Sequence, residues 1–163
     1  MRYSPGSLVL IVSGAEHETV AFAERVVEER GAVLSLAKVR ALLEGRVGAQ
    51  QLEAKAQELL ETAVIKRLEA RQSVVVAIEG LDPYERERYI RPAHARRRPG
   101  HLILLEVARD RVPEELRPAL NELRRALDTA EVGREGFQTA LRLGGGSVGE
   151  LKRIVFQPPP RQH

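Results

Sequence analysis

The chain has 163 residues, 43% of them hydrophobic, with a formal net charge of +3 at pH 7 and no cysteine. This length favours one domain, which we place at residues 1–157, and the lack of cysteine excludes disulfides, thiolate metal sites and a cysteine nucleophile. No apolar run is long enough to cross a membrane and no signal-peptide pattern is present, so we expect a cytoplasmic protein without membrane partners. The 4 histidines lack the spacing of metal ligands, so no metal site is predicted.

The first half of the chain alternates buried strands with amphipathic helices. An unbroken apolar run predicts a buried strand at residues 8–12, and apolar residues at helical spacing predict a helix at 16–30 that ends before Gly31. Residues 32–35 are predicted to form a second short strand. The longest amphipathic stripe predicts a helix at residues 49–71.

The second half continues this alternation. Further strands are predicted at residues 73–79 and 101–107, and prolines at helix starts predict helices at 83–90 and 113–128. Two shorter strands at 136–143 and 151–156 precede a proline-rich tail at 158–163, which we expect to be disordered. The order predicts a three-layer α/β domain with a mostly parallel central sheet, which binds ligands beyond the carboxyl ends of its strands.

The turn after the first strand has the position of a phosphate-binding loop but little of its chemistry. Such a loop needs spaced glycines, a lysine for the outer phosphate oxygens and a hydroxyl for Mg²⁺. The remaining candidates for phosphate contacts are Ser13, Gly14 and Thr19, whereas Glu16 and Glu18 carry negative charge. At about 5 Å and an effective dielectric of about 20, each carboxylate would repel one unit of phosphate charge by roughly 3 kcal/mol. Nucleotide is therefore not expected as a cofactor.

The order of several short segments along the chain is informative. Residues 33–43 contain a serine at a strand end and then Arg40, and residues 74–83 contain a buried strand end that Arg86 follows. Residues 109–116 and 135–137 come later. Together with the opening strand, turn and helix, these segments resemble the kinase domain of polynucleotide-kinase-like P-loop proteins, which are nucleoside and nucleic-acid phosphotransferases. The resemblance implies a P-loop NTPase or kinase-like fold.

The departures from this family pattern fall on atoms that its catalysis needs. The Gly-Lys-Ser/Thr core is missing at residues 16–20, and the carboxylate that activates the acceptor hydroxyl is replaced near Ala37. The Asp and Asn of the later strand end appear as Ala77 and Gly80, and the arginine-bearing lid is shortened between residues 105 and 109. Phosphoryl transfer depends on charge stabilisation and positioning, so these losses predict a catalytically degenerate protein with no catalytic residues.

The remaining arginines predict a binding role. In relatives, the positions of Arg40 and Arg86 face the acceptor strand, although pairing with Glu44 and Asp82 at the surface is an alternative. A basic run interleaved with tyrosines has the groups of a nucleic-acid surface, although acidic neighbours dilute its charge. The arginines of this run are Arg86, Arg88, Arg91, Arg96, Arg97 and Arg98. Nucleic acid or a phosphorylated partner is the expected ligand.

Other functions stay open. An active phosphotransferase or nucleotide hydrolase, using ATP and Mg²⁺, would need rearranged phosphate contacts from Arg109 and Arg111. A structural interaction protein would use the leucine-rich face of the helix at 113–128 or the proline tail. The segment Gly-Gly-Gly-Ser-Val-Gly at 144–149 fits a dinucleotide-binding pattern, but no helix follows it, and we interpret it as a connection between strands. Glu16-His17-Glu18 is interpreted as a helix start rather than a metal or acid–base site.

Overall fold

A computed structural model describes residues 1–144 and 153–157 of the chain. The strands are β1 (Arg2–Tyr3), β2 (Leu8–Ser13), β3 (Val33–Ser35), β4 (Val74–Ala77), β5 (Gly100–Leu105), β6 (Thr139–Leu143) and β7 (Val155–Phe156). The helices are α1 (Glu16–Val26), α2 (Leu36–Leu43), α3 (Leu52–Glu69), α4 (Pro83–Ala95) and α5 (Arg117–Asp128). Short 3₁₀ turns lie at Arg30–Ala32, Arg109–Arg111, Glu114–Leu116 and Glu131–Glu135.

The central sheet has 5 strands in the order β3-β4-β2-β5-β6, and every pairing in it is parallel. Every residue of β2 is buried, because the strand lies at the centre of the sheet and both of its faces are covered. Leu8, Leu10 and Val12 pack in one core with residues of α3, α4 and α5, while Val9 and Ile11 pack in a second core with residues of α1. The prediction of a three-layer α/β fold with a mostly parallel central sheet is confirmed.

Several boundaries differ from those predicted. Helix α1 ends at Val26, four residues early, because Val27 leaves the helix to bridge Ile154. Helix α2 was not predicted, although Ser35 caps it by accepting a hydrogen bond from the Lys38 amide at 3.2 Å. Helix α4 continues five residues past Ile90, because the buried Ala93 prolongs its apolar stripe.

Helix α5 begins later than predicted, at Arg117, because a 3₁₀ turn occupies Glu114–Leu116 and Pro118 stands in the first helical turn. Its leucine-rich face was proposed from the sequence as a partner surface. The structure instead buries Leu120 and Leu123 in the core against the sheet. Much of that face therefore stabilises the fold and is not available to a partner.

A second, small sheet joins distant parts of the chain. Strands β1 and β7 pair in parallel, and Ile154, just before β7, is fully buried in the core beside α1. The Ile154 amide donates a hydrogen bond to the Val26 carbonyl at 2.6 Å. The glycine-rich segment beyond Gly144 and the tail at 158–163 lie outside the described residues. Among the described helices, none combines the length and apolar character that crossing a membrane requires.

Candidate functional site

The turn between β2 and α1 lies at the carboxyl edge of the sheet and contains only Gly14 and Ala15. The buried Ser13 hydroxyl accepts a hydrogen bond from the Ala15 amide at 3.0 Å. The buried Thr19 hydroxyl donates to the Ala15 carbonyl at 3.4 Å. Both hydroxyls named as phosphate contacts are therefore used inside the turn. This two-residue connection is shorter than the glycine-spaced loop of a phosphate-binding P-loop.

Val112 covers this turn. A Cβ atom added to Gly14 would lie 3.0 Å from both methyl carbons of Val112, so the two residues are in close contact. Val112 is buried and follows the 3₁₀ turn at Arg109–Arg111. Arg111, at the end of that turn, donates a hydrogen bond to Glu18 at 2.6 Å. An apolar contact and an ion pair thus hold the segment after β5 against the turn.

Arg40 is bound between two carboxylates. Its guanidinium lies 2.6 Å from Glu79, just beyond the end of β4, and 2.5 Å from Glu53 on α3. Arg40 donates hydrogen bonds to Glu79 and to Glu53. These bonds, the one to Glu79 first, raise the pKa of Arg40, and the bond to Glu53 lowers the pKa of that carboxylate. These partners replace Glu44, the neighbour proposed from the sequence. Glu79 was missed as a member of the site, although an acidic residue just after a buried parallel strand is a usable signal.

Arg86 is buried and binds two other segments of the chain. Its side chain is 4% exposed and forms a two-point ion pair with Glu135 at 3.0 and 3.2 Å. A third hydrogen bond, at 3.2 Å, reaches the Leu81 carbonyl. Asp82, proposed from the sequence as its partner, instead caps α4 by accepting from the Tyr84 amide. Arg86 therefore joins the start of α4 to the 3₁₀ turn at Glu131–Glu135.

The last three arginines of the basic run, at 96–98, follow the end of α4 and lie at the opposite, amino edge of the sheet, so the structure does not bring them to Arg40 or the turn. Arg96 pairs with Glu69 at 3.0 Å, and Arg98 donates to the carbonyls of Pro5 and Gly6. Arg97 is exposed, and its side chain forms no ion pair or hydrogen bond with any described residue. A cleft of about 600 Å³ beside these residues has no carboxylate in its lining. The lining residues are His94, Ala95, Arg97, Arg98, Gly133, Gly136, Phe137 and Gln138.

Two cavities flank α5. The one that we call the cationic cavity has a volume of about 340 Å³ and lies between α5 and the segment after β5. It is lined by Val107, Arg109, Val112, Arg117, Leu120, Asn121 and Arg124. Of the three arginines in this cavity, only Arg109 was predicted from the sequence as a binding residue. Arg117, Asn121 and Arg124 share one helix face by their spacing, a signal that was present in the sequence.

Glu106 orients one arginine of the cationic cavity. It follows β5 directly and binds Arg124 through both carboxylate oxygens, at 2.9 and 2.5 Å. Arg142 lies 3.3 Å from the same carboxylate. The hydrogen bond from Arg124 lowers the pKa of Glu106. Burial raises this pKa, and the nearby charges of Arg124 and Arg142 lower it further. The pKa of Glu106 therefore stays below its ordinary value.

The second cavity, which we call the mixed cavity, has a volume of about 290 Å³. Its lining contains two cations and three carboxylates among ten residues. These residues are Leu81, Pro83, Arg86, Ala119, Glu122, Leu123, Ala126, Glu131, Arg134 and Glu135. No cluster of histidine and carboxylate side chains suited to a metal ion occurs in the part of the chain that the structure describes.

The sequence matches no protein-family model and no curated protein. Among solved structures, the chain is similar to the tunicamycin resistance protein of Deinococcus radiodurans, with 16% sequence identity and a TM-score of 0.46. The match covers 94% of this chain and 99% of that one.

Proposed function

We propose that this chain is a degenerate P-loop-kinase-like protein that has lost nucleotide-dependent catalysis and binds a phosphorylated ligand or partner. The observation that carries the proposal is the short turn between β2 and α1. Val112 packs against this turn, and an ion pair between Arg111 and Glu18 holds the segment after β5 beside it. A nucleotide phosphate would have to displace the Val112 side chain and approach the Glu18 carboxylate. Both changes are unfavourable, because they expose apolar surface and bring like charges together.

Three residues that replace catalytic groups of the family pattern support the same proposal: Ala37, Ala77 and Gly80. Ala37 is exposed in the first turn of α2 and has no proton-accepting group. Ala77 is the buried last residue of β4, and Gly80 has a positive φ of 84° in the loop that follows. The carboxylate between them, Glu79, is held by Arg40. We therefore assign no catalytic residue and no ATP or Mg²⁺ cofactor.

The test is the effect of Mg²⁺-ATP on the free energy of unfolding, measured by urea denaturation with Mg²⁺ alone as the control. We expect no stabilisation and no release or transfer of the terminal phosphate. A ligand present at about a hundred times its dissociation constant stabilises a protein by about 2.7 kcal/mol. A gain of that size would overturn the degenerate-site proposal in favour of an active phosphotransferase with contacts from Arg109 and Arg111.

Nucleic-acid binding is a second candidate, favoured by the unpaired Arg97 beside the carboxylate-free cleft at the amino edge. Binding of a labelled single-stranded oligonucleotide should then weaken steeply with salt, because cations released from phosphates drive it. The Arg96→Ala, Arg97→Ala, Arg98→Ala triple variant should bind more weakly than the unchanged protein. Binding that is absent, or that salt does not affect, would remove this candidate.

A further inference from the structure

We infer that the cationic cavity is a binding site for a phosphate monoester, carried by a small molecule or by a phosphorylated side chain. This inference rests on the proposed function and gives it a location. The cavity has three arginines and an asparagine in its lining and no carboxylate there. Arginine is the side chain best suited to phosphate, because its fork of N–H donors matches two phosphate oxygens.

Two of the arginines have unused binding capacity. Arg109 is exposed, and its side chain forms no ion pair or hydrogen bond within the described part of the chain. Arg117 lies 3.7 Å from Glu114, whose side chain is 86% exposed, and its Nε atom is buried with no acceptor among the described residues. Buried donors nearly always have an acceptor, so the unpaired Nε leaves part of the hydrogen-bonding capacity of Arg117 unused.

The other polar groups are oriented rather than unused. Arg124 is fixed by Glu106, and its Nη1 atom donates to the Asn121 side-chain oxygen at 3.1 Å. This bond uses the oxygen of the Asn121 amide and leaves its NH₂ group as a donor. Asn121 and Arg117 are separated by one helical turn, and Arg124 extends the same face. The cavity therefore combines free donors with one prepositioned arginine.

The size and walls of the cavity suit a small anion. Its volume of about 340 Å³ is within the range of small-molecule sites. Val107, Val112 and Leu120 supply apolar walls, which lower the local dielectric and strengthen charge-assisted hydrogen bonds. The mixed cavity on the other side of α5 has comparable volume, but its three carboxylates would repel a phosphate.

The experiment is calorimetric titration of the full chain with inorganic phosphate at low ionic strength. The unchanged protein should bind, and added salt should weaken the binding. Arg117→Gln should weaken it about tenfold, which is the loss expected for one charge-assisted contact. The matched control is Arg46→Gln, which removes the same charge from an exposed arginine between α2 and α3, outside both cavities, and should leave the affinity within about twofold.

A second variant separates binding from folding. Arg109→Gln changes an exposed side chain without partners among the described residues, so it should fold normally and also weaken phosphate binding. Absence of binding to the unchanged protein overturns the inference, as does an equal loss in the Arg46→Gln control. An adventitious ion only, bound with the same affinity in every variant, overturns it as well.

Two further ligands identify the source of the phosphate. Phenyl phosphate represents a small molecule, and a phosphoserine peptide represents a phosphorylated partner. Competition of either with inorganic phosphate supports the site and shows which source it prefers, whereas a lack of competition from both overturns it. Stabilisation by Mg²⁺-ATP would overturn the proposed function and leave the phosphate result standing. Failure of phosphate binding without any effect of Mg²⁺-ATP would remove only this inference.

Discussion

The two cavities on opposite sides of α5 contain arginines with different roles. In the mixed cavity, Arg86 is almost fully buried and is matched by the Glu135 carboxylate. In the cationic cavity, Arg109 is unpaired within the described chain and Arg117 has only a distant, exposed partner. The difference shows that the number of arginines in a region does not tell how many of them are unpaired. The carboxylates that the fold places beside them decide which arginines are available.

This comparison also explains the outcome for Arg40. It lies at the carboxyl edge, where the resemblance to kinases implies an acceptor site, but Glu79 and Glu53 occupy its guanidinium. A phosphate competing for Arg40 would have to displace two carboxylates. We therefore expect Arg40 and Arg86 to stabilise the fold and the cationic cavity to bind the ligand.

The largest expected effect comes from breaking the buried pair of the mixed cavity. Glu135→Ala leaves Arg86 buried without a carboxylate, and loss of one partner of a buried pair destabilises proteins by about 3 kcal/mol. Because the Glu135 side chain is 29% exposed, water can offset part of this loss. Urea denaturation should show a decrease of about 2 kcal/mol in the free energy of unfolding. In the matched variant Arg117→Gln the decrease should stay below about 1 kcal/mol, and equal losses in both would contradict the division of roles.

A smaller effect is expected from adding a carboxylate to the cationic cavity. Asn121→Asp is nearly isosteric and places a negative charge beside the proposed phosphate, which should weaken phosphate binding about tenfold or more. Asn121→Ser, which removes the amide without adding charge, is the control and should cause a smaller loss. Calorimetric titration measures both. Unchanged affinity in Asn121→Asp would show that the phosphate binds elsewhere.

The smallest effect is a pH dependence. Arg124 holds the pKa of Glu106 below its usual value, so the unfolded chain binds a proton at this residue more readily than the folded protein does. The stabilisation from this pair is fully present above the unfolded pKa, about 4.3, and is lost as the pH falls through the lower folded pKa. The difference in free energy of unfolding between the unchanged protein and Glu106→Gln should therefore shrink on acidification. A difference that does not change with pH would contradict this account.

The layers of the fold were predictable because the buried strands are written as continuous apolar runs. Strands β2, β4 and β5 are central in the sheet, and burial on both faces removes the alternation that an exposed strand would show. Strands β1 and β7 were harder, since each contains only two residues and is defined by pairing across the whole chain. Local pattern carries little information on such contacts.

The candidate site was predictable only in part. The turn chemistry at Ser13, Gly14 and Thr19 could be read locally, because the residue types that a phosphate loop needs are adjacent in sequence. The partners of Arg40 and Arg86 could not, since Glu79 and Glu135 are 39 and 49 residues away. The spacing of Arg117, Asn121 and Arg124 was visible, but the absence of a facing carboxylate depends on how α5 packs.

The contact between Val112 and Gly14 limits what substitution can do at this turn. The connection is short as well as poor in phosphate-binding side chains, since the strand ends at Ser13 and the helix begins at Glu16. Forming a phosphate loop here would require an insertion at the turn together with a shift of the segment that carries Val112. No single substitution achieves both, so one-residue variants of this turn are not expected to bind nucleotide.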